Sequence, residues 1–446
     1  MKKVITYGTF DLFHRGHYNL LKRAKELGDY LIVGVTTEQY DKSRGKLNVC
    51  DSLSDRIESV RKTGFADEII VEDHIGQKVE DIIKYQIDVL TVGSDWTGEF
   101  DHMKKYCEIV YLERTKDISS TMLRTNNMHL IRIGIVGSGD IAARFLSEIK
   151  YVSGIVPVGV YNPHLSSAQA FAEKYMLKFS DDDWDNFMDK IDAVYIASPH
   201  RSHMEYIWKA LKAGKHVLSE KPMSFNKADA ENAFKYAKEN NLVLMEAVKT
   251  AYCPGFKQLI GIVESGLIGT VHDVETTFTR LMPKDNRVWN GNDAGAFLDL
   301  ASYTVLGILK ILGTDYESLE FQSFKDERGV DYYTKAYFKY KNAIATAKTG
   351  IGVKSMGSMI VSGTRGFIEV KAPWWKTSNI EVHFEDSSEN EIFFSKYLGD
   401  GLRYEISEFV RVIDGQESKY MSSVESIEIA GILERFEKEV LGQKIT

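Results

Sequence analysis

Residues 6–17 read Thr6-Tyr7-Gly8-Thr9-Phe10-Asp11-Leu12-Phe13-His14-Arg15-Gly16-His17 and join the first strand-like run, Val4–Tyr7, to the first helical pattern. That helix is indicated by the spacing of its apolar residues, Leu20, Leu21, Ala24 and Leu27. Further strand-like runs follow, with helical patterns between most of them, at Tyr30–Val35, Glu68–Val71, Val89–Val92 and Glu108–Tyr111. Such alternation predicts an α/β fold with a parallel, doubly wound sheet.

The turn into the first helix carries the first candidate chemistry. His14 and His17 are three residues apart at a helix start, so both can face one ligand. Gly16 lacks a side chain, which lets a phosphate approach the backbone, and a helix N-terminus favours negative charge. Taken alone, an HxGH run is equally well explained as a turn with two surface histidines.

Two later segments favour the phosphate-binding interpretation. Gly93-Ser94-Asp95-Trp96-Thr97-Gly98 and Arg114-Thr115-Lys116-Asp117-Ile118-Ser119-Ser120-Thr121 resemble the GxDWxG and RTxxISST elements of the cytidylyltransferases, and residues 6–17 resemble their entry motif. The likeness covers nearly all of residues 1–125 and is greatest to the glycerol-3-phosphate cytidylyltransferases. The sequence departs from those enzymes at Ser94, where they carry a second acid, and over Lys42–Asp55.

This resemblance implies a Rossmann-like nucleotidyltransferase domain over residues 1–126, using CTP with Mg²⁺ and a phosphorylated sugar or polyol as acceptor. Catalytic roles are implied for His14, His17, Lys46 and Arg114. Nucleotide contacts are implied for Thr9, Phe10, Asp11, Asp95, Ser119 and Thr121. Arg56 is a candidate for the acceptor phosphate. Use of ATP instead of CTP is the alternative, and the Arg114–Thr121 segment argues against it.

The strand–helix alternation starts again after the polar linker Arg124–His129. Leu130–Val136 reads as a buried strand, and Gly137-Ser138-Gly139-Asp140-Ile141-Ala142 follows it and opens a helix. This is the dinucleotide-binding arrangement, although a plain tight turn would also explain those residues in isolation. More strands are predicted at Ile155–Tyr161, Ala193–Ile196, His216–Ser219 and Val243–Glu246.

From about residue 270 the pattern becomes rich in β-strands separated by short turns, which predicts a mostly antiparallel sheet within an α+β domain. The runs are His272–Phe278, Tyr332–Tyr340, Ala343–Gly350, Ser358–Ser362 and Gly366–Val370. A capping-box pattern at Ser422–Glu425 predicts a final helix that extends to about Leu441.

Two segments in this second part resemble one family of oxidoreductases. Gly214-Lys215-His216-Val217-Leu218-Ser219-Glu220-Lys221-Pro222 resembles the AGKHVxxEKP signature of the Gfo/Idh/MocA family, and Gly295–Tyr303 resembles its GGxxxDLGxY element. The likeness covers about residues 130–445. It implies an NAD(P)-binding Rossmann domain over residues 127–250 and a substrate-binding and oligomerisation domain over residues 251–446.

The resemblance implies that Lys221 polarises the substrate oxygen, Tyr303 moves the proton and Asp299 orients hydroxyl groups. We expect the charge of Lys221 to lower the pKa of Tyr303; a core tyrosine on a helix is the alternative. Cofactor contacts are implied for Gly137, Gly139, Asp140, Ile141, Asn162, Ser198, Pro199, His203 and Glu220.

The choice between NAD and NADP depends on the end of the second strand of this domain. An acid there binds the ribose of NAD, whereas an Arg suits NADP. The chain has Tyr161-Asn162-Pro163-His164, which supplies neither. We favour NADP slightly, because no carboxylate is present to repel its extra phosphate.

Composition limits the remaining possibilities. The 446 residues are 43% hydrophobic and 27% charged, the net charge is −8, and the three cysteines lack any disulfide or metal-ligand spacing. These values predict a cytoplasmic, multi-domain enzyme without general affinity for nucleic acid, and no apolar run suits a membrane span. Both families commonly form oligomers, so a homodimer or homotetramer is expected.

Joined in one chain, the two halves suggest consecutive reactions. The reductase would convert a ketose or aldose phosphate to an alditol phosphate, and the transferase would convert that product to a CDP-alditol for cell-surface polysaccharides. Candidate cations for the substrate phosphate are Lys249, Lys284 and Arg287, each equally readable as a solvated surface charge. The alternatives are an oxidoreductase with an unrelated substrate, or one reduced to a dimerisation or interaction module.

Overall fold

The computed structural model describes residues 1–113, 130–290, 293–418 and 420–442. The chain forms two compact units, one containing Met1–Arg132 and the other Asp181–Thr446, with the intervening segments shared between them. None of the helices in the described ranges is long and apolar enough to cross a membrane.

Within residues 1–113, five parallel strands form a sheet in the order β3-β2-β1-β4-β5. The strands are β1 (Lys3–Gly8), β2 (Tyr30–Thr36), β3 (Glu68–Glu72), β4 (Val89–Gly93) and β5 (Glu108–Leu112). The helices are α1 (Arg15–Glu26), α2 (Glu38–Ser43), α3 (Leu53–Lys62) and α4 (Gln77–Tyr85). The predicted doubly wound sheet is confirmed, and Leu21 and Ala24 of α1 are buried in its core.

A second sheet has the strand order β11-β10-β9-β6-β7-β8 within the described residues. Its strands are β6 (Ile131–Val136), β7 (Ile155–Tyr161), β8 (Phe179–Asp181), β9 (Ala193–Ile196), β10 (His216–Glu220) and β11 (Leu244–Ala247). The helices are α5 (Asp140–Ile149), α6 (Leu165–Lys174), α7 (Trp184–Met188), α8 (His203–Lys212) and α9 (Lys227–Glu239). The sequence did not predict β8, which is too short to show a period.

The third sheet, again within the described residues, has the order β13-β14-β15-β12-β16-β17-β18-β19. Its strands are β12 (Val271–Thr279), β13 (Ser318–Lys325), β14 (Asp331–Lys339), β15 (Ile344–Gly350), β16 (Met359–Gly363), β17 (Gly366–Val370), β18 (Asn379–Phe384) and β19 (Glu391–Phe394). Neighbours are antiparallel except β12 and β15, which are parallel, so the predicted mostly antiparallel sheet is confirmed.

The helices of this last part are α10 (Lys249–Tyr252), α11 (Pro254–Glu264), α12 (Ala296–Leu312), α13 (Leu402–Ile413) and α14 (Ser423–Phe436). A π-helical turn, Glu437–Leu441, extends α14 to the predicted end. The capping box is confirmed, since the Ser422 N–H donates to the Glu425 carboxylate at 2.7 Å. Helix α12 is buried on nearly every side and contacts the third sheet, where the Thr276 hydroxyl donates to the Thr304 carbonyl at 3.0 Å.

Candidate active sites

The first site lies where β1 and β4 run side by side. Because β2 and β4 flank β1 on opposite sides, this is the point where the strand order reverses, and ligands bind such sheets at the carboxyl ends there. The loop after β1 leads to His14, and the turn after β4 places Asp95 at the same edge, exposed to solvent. The sheet therefore brings two of the three predicted motifs together.

His14 and His17 stand together at the start of α1. Their rings stack with centroids 3.8 Å apart, and Nδ1 of His14 accepts a hydrogen bond from the Gly16 N–H at 3.0 Å. Nε2 of His14 is thereby the nitrogen directed away from the helix cap. Burial, followed by the charges of His14 and Lys46, lowers the pKa of His17 well below its usual value, so His17 is a neutral donor near pH 7.

The loop between β1 and α1 is held in an uncommon backbone conformation. Phe10 and Leu12 both have positive φ values, 53° and 47°, which non-glycine residues rarely adopt. Oδ1 of Asp11 accepts from the N–H groups of Cys50 at 3.0 Å and Asp51 at 2.8 Å, which ties this loop to the segment before α3. Oδ2 of Asp11 is buried and has no hydrogen-bond partner within the described ranges.

Asp41 links the β1 loop to α2. Its carboxylate accepts from the hydroxyls of Thr9 at 3.0 Å and Thr36 at 2.7 Å, and from Arg44 at 2.6 Å. Burial lowers the pKa of Lys46 to about 8, although the charges of Asp41 and Asp11 oppose that shift. The sequence pattern did not reveal Asp41 or Arg44, because they lie near or within the segment that departs from the family.

Arg56 is placed differently from what its candidate role requires. Its side chain is fully buried, and Nη1 donates to the carbonyl groups of Thr9 and Thr36, both at 2.8 Å. These bonds stabilise the loop after β1. In this conformation the Arg56 guanidinium has no access to an acceptor phosphate. Three other predicted residues, Arg114, Ser119 and Thr121, lie outside the described residues.

The second site lies where β6 and β9 run side by side, the point of reversal in the second sheet. Gly137 follows β6 with φ 101°, and a Cβ there would lie 2.6 Å from the Ala197 carbonyl oxygen after β9. A Cβ at Gly139 would meet nothing within 4 Å, so the start of α5, with Asp140 and Ile141, is open to a ligand. The positive-φ turn at Gly137 and the open space beside Gly139 both suit the pyrophosphate of a dinucleotide.

The residues after β7 form the other end of the dinucleotide cradle. Asn162 Nδ2 donates to the Ser138 hydroxyl at 3.0 Å, and its Oδ1 accepts from the His164 N–H at 2.9 Å. Asp181, at the end of β8, has its carboxylate paired with Lys190 at 2.9 Å. The structure therefore presents an amide, not a free acid, where the ribose of the dinucleotide would lie.

Two predicted cofactor residues have their polar atoms occupied by the protein. His203 lies with Nδ1 2.9 Å from the Pro222 carbonyl and Nε2 2.8 Å from that of Ser198, which joins the loops after β9 and β10 and places Ser198 and Pro199 at the sheet edge. Burial lowers the pKa of His203 to about 4. Glu220 is buried and accepts from the Tyr195 hydroxyl at 2.6 Å.

The predicted catalytic residues of the second site meet at one place. The Lys221 ammonium donates to the Asp299 carbonyl at 2.7 Å and lies 3.5 Å from the Asp299 carboxylate and 5.3 Å from the centre of the Tyr303 ring. Although burial opposes ionisation of Asp299, the charges of Lys221 and Arg287 outweigh it and lower the pKa of that carboxyl. Lys221 and Asp299 are therefore an ion pair beside a phenol.

The expected lowering of the Tyr303 pKa is wrong. Burial raises that pKa well above its usual value, and the negative charges of Glu220, Glu405 and Asp299 add to the effect. These acids come from separate strands and helices, so no single sequence motif shows that they surround the phenol. Tyr303 consequently remains protonated at neutral pH, which is the form that donates a proton.

A polar network beside Lys221 was not identified from the sequence. His200 is 7% exposed, and its Nδ1 lies 3.1 Å from Asp293 Oδ2, while Nη2 of Arg287 lies 3.4 Å from His200 Nε2 and 3.2 Å from Asp299 Oδ1. Arg287 also lies 3.6 Å from Asp293. Burial, with the charges of Lys221 and Arg287, lowers the pKa of His200 despite the opposing Asp293. Only the position of His200 directly after β9 hinted at this role.

The other two candidate phosphate cations are placed less favourably. The Lys284 ammonium lies 3.2 Å above the Trp289 ring, on an exposed loop. Lys249 is half-buried, and burial lowers its pKa although Glu405, Asp400 and Glu220 oppose that shift. Of the three cations, Arg287 contacts the predicted catalytic residues.

Family models match both halves of the chain. Residues 5–126 match the model described as cytidylyltransferase-like. Residues 131–248 match that of the oxidoreductase family with an NAD-binding Rossmann fold, and residues 256–369 match the GFO/IDH/MocA C-terminal domain.

Three relatives illustrate the likeness. Glycerol-3-phosphate cytidylyltransferase of Bacillus spizizenii is 48% identical over 124 residues, which are 28% of this chain and 95% of that enzyme. dTDP-3,4-didehydro-2,6-dideoxy-α-D-glucose 3-reductase of Actinomadura kijaniata is 30% identical over 236 residues, 50% of this chain and 67% of that one. A crystal structure of a 3-ketoreductase from Actinomadura kijaniata with TDP-benzene and NADP, in an open conformation, is 25% identical with TM-score 0.58, covering 68% of this chain and 95% of the other.

The chain therefore belongs to the cytidylyltransferase-like family through residues 5–126 and to the Gfo/Idh/MocA oxidoreductases through residues 131–248 and 256–369, and it joins a cytidylyltransferase to an NAD(P)-dependent oxidoreductase.

Proposed function

We propose that this chain makes a CDP-alditol in two consecutive steps. A ketose or aldose phosphate is reduced to an alditol phosphate, whose phosphate oxygen then attacks the α-phosphorus of CTP and releases pyrophosphate. The observation that carries the proposal is the pairing, in one chain, of a domain 48% identical to a glycerol-3-phosphate cytidylyltransferase with an oxidoreductase in which Lys221, Asp299 and Tyr303 lie together. The product suits cell-surface polysaccharide synthesis.

In the reductive step, a bound nicotinamide cofactor supplies the hydride. Lys221 polarises the carbonyl oxygen, and the protonated Tyr303 phenol donates the proton that this oxygen needs as it becomes an alcohol. The Asp299 carboxylate accepts hydrogen bonds from neighbouring substrate hydroxyls. Arg287, which is 58% exposed and already close to Asp299, is the cation that can reach the substrate phosphate.

In the transfer step, His14 and His17 donate hydrogen bonds where charge builds on the α-phosphate, and Lys46 neutralises the departing phosphates. Mg²⁺ would screen further phosphate charge when bound. The buried Asp11 Oδ2 is a carboxylate oxygen that fits it, because Mg²⁺ is commonly held by one or two carboxylates together with substrate phosphates. We assign Arg114, Ser119 and Thr121 to the same phosphates.

NADP is the cofactor we propose. The amide of Asn162 leaves the ribose end of the cradle uncharged, and the Asp181 carboxylate is paired with Lys190, so neither repels a 2′-phosphate. We place the enzyme in the cytoplasm as a homo-oligomer, a dimer or tetramer; three cysteines without disulfide or metal-ligand spacing in the sequence support a reducing compartment.

A second candidate function reverses the order of the two steps. The 30% identical relative is named as a reductase of a nucleotide-linked sugar, which favours a substrate already joined to a nucleotide. In that case cytidylyl transfer comes first, and the reductase acts on a CDP-linked ketose.

One experiment separates these functions. The purified full chain is incubated with CTP or ATP, NADPH or NADH, and a panel of ketose, aldose and alditol phosphates, while nicotinamide absorbance and pyrophosphate are followed. Pyrophosphate release that needs both the sugar phosphate and NADPH supports the proposed order, whereas NADPH oxidation that needs CTP supports the reverse. Failure of every alditol phosphate as a cytidylyl acceptor would contradict the proposal.

A further inference from the structure

The N-terminus of α12 is held by an acid from another element. Asp331, the first residue of β14, is fully buried, and its Oδ2 accepts the Phe297 N–H at 2.9 Å and the Thr334 hydroxyl at 2.9 Å. The first N–H groups of a helix have no partner within that helix, so this carboxylate satisfies one of them and interacts favourably with the helix dipole.

The residue before α12 is shaped to admit that carboxylate. Gly295 has φ 132°, a conformation that other residues rarely adopt, and a Cβ there would lie 2.0 Å from Asp331 Oδ1. Any side chain at position 295 would push the carboxylate away from the helix end. Gly295 and Asp331 therefore form a matched pair, although they are far apart in sequence.

Keeping a carboxylate at this place is costly. Burial raises the pKa of Asp331 to about 7, even though its hydrogen bonds favour the charged form. An apolar side chain would fill the same space without that cost, but it would leave the Phe297 N–H buried without an acceptor.

The first turn of α12 also carries the reacting groups. Asp299 follows Phe297 by two residues, and its carbonyl accepts the hydrogen bond of Lys221 at 2.7 Å, while Tyr303 lies one turn further along. We propose that Asp331 is a positioning residue for hydride transfer, because it fixes the turn that holds Lys221 and orients Tyr303. The proposal rests on the reductase function of this half.

The test compares Asp331→Ala, Asp331→Asn and Gly295→Ala in the full chain, with NADPH and dihydroxyacetone phosphate as probes and with crystal structures of the variants. We expect Asp331→Ala and Gly295→Ala to lower kcat for NADPH oxidation by about tenfold or more, because small misplacements of reacting groups are costly. KM for NADPH should change less than about twofold, since the cofactor loops are untouched. Asp331→Asn retains an acceptor oxygen and should recover most of the activity.

Gly313→Ala is the matched control. Gly313 ends the same helix with φ 81°, and a Cβ there would meet nothing within 4 Å, so this variant strains α12 at the end away from the site. Thermal unfolding followed by circular dichroism reports the folding of each variant, and pyrophosphate release from CTP and glycerol 3-phosphate shows that the transferase is unaffected. Equal loss of kcat in Gly313→Ala and Gly295→Ala would overturn the proposal, as would an unchanged kcat in Asp331→Ala.

The outcome is distinguishable from failure of the proposed function. If none of the sugar phosphates supports NADPH oxidation by the wild-type chain, the proposed substrate is wrong. The crystal structures still decide the role of Asp331. A Lys221 to Asp299 contact that stays near 2.7 Å in Asp331→Ala overturns it. If that variant does not fold, Thr334→Val removes the hydroxyl that donates to Asp331, and Ser323→Ala, which removes the other partner of that hydroxyl at 2.8 Å, is its control; equal kcat in the two would overturn the proposal.

Discussion

Lys221 donates its hydrogen bond to the main-chain carbonyl of Asp299, at 2.7 Å, and lies farther, 3.5 Å, from the carboxylate of the same residue. The ammonium is thus anchored on the helix backbone. The Asp299 carboxylate lies closer to Arg287, at 3.2 Å, and stays available to substrate hydroxyls. Because a main-chain carbonyl holds Lys221, its ammonium can polarise the substrate carbonyl while the Asp299 carboxylate binds the neighbouring hydroxyl groups.

Lys221→Ala should therefore abolish reduction while leaving the other reaction intact. We expect kcat for NADPH oxidation to fall by about 10²–10⁴-fold, the usual range for loss of an acid–base group. Pyrophosphate release from CTP and glycerol 3-phosphate should stay within about twofold of the wild-type rate, because no residue of the transferase site is changed. Lys212→Ala, on the exposed side of α8, is the matched control; equal loss in both variants would contradict the assignment.

His17→Ala should have the opposite effect. The neutral imidazole donates a hydrogen bond where charge builds on the α-phosphate, and removal of one such donor costs about 10²–10³-fold in kcat. Steady-state pyrophosphate release measures this loss, NADPH oxidation by the same sample shows that the reductase is unaffected, and circular dichroism checks the fold. If His17→Ala silenced both activities in folded protein, the two sites would not be independent.

The transferase should lose activity at alkaline pH. Lys46 serves in its charged form, and its pKa of about 8 means that the free enzyme loses that charge as pH rises through 8. We expect kcat/KM for CTP to fall above about pH 8, and kcat to fall only at higher pH, since bound phosphates favour the ammonium. Lys46→Arg keeps its charge, so its profile should lack this limb; an unchanged limb would assign it to another group.

Asn162→Asp should change the preferred cofactor. A carboxylate at this position repels the 2′-phosphate and can bind both ribose hydroxyls of NAD. We expect KM for NADPH to rise by about tenfold or more while KM for NADH falls, which corresponds to a difference of about 1.4 kcal/mol or more in binding. Asn162→Ala separates loss of the amide from gain of charge. A wild-type preference for NADH would refute the NADP proposal.

The sequence was most informative where buried apolar runs alternate with helices, because each run is long enough to show its period. All the strands predicted in the first sheet are present. The strands β8 and β19 were missed because they are short, and β13 because it lies at a sheet edge with most side chains exposed; β18 was missed although its burial alternates. Family motifs indicated Lys221, Asp299 and Tyr303, which the fold brings together.

The sequence did not reveal contacts between segments that are far apart along the chain. Arg56 was a candidate for the acceptor phosphate, yet its guanidinium is buried and donates to the carbonyl groups of Thr9 and Thr36. The Tyr303 pKa was misjudged because burial, its largest cause, appears only in the folded chain, where Glu405 also joins the motif acids Glu220 and Asp299 in raising it. The contacts of Asp293 with His200 and of Asp331 with Phe297 form only once the chain is folded.

Arg287 lies between Asp293 and Asp299, so with Lys221 this cluster holds two cations and two carboxylates. Dissolved salt screens strong, unbalanced fields most, so added electrolyte should weaken capture of the triphosphate more than recognition of sugar hydroxyls. The ionic strength of the cell then helps to decide which half of this tandem enzyme limits its output.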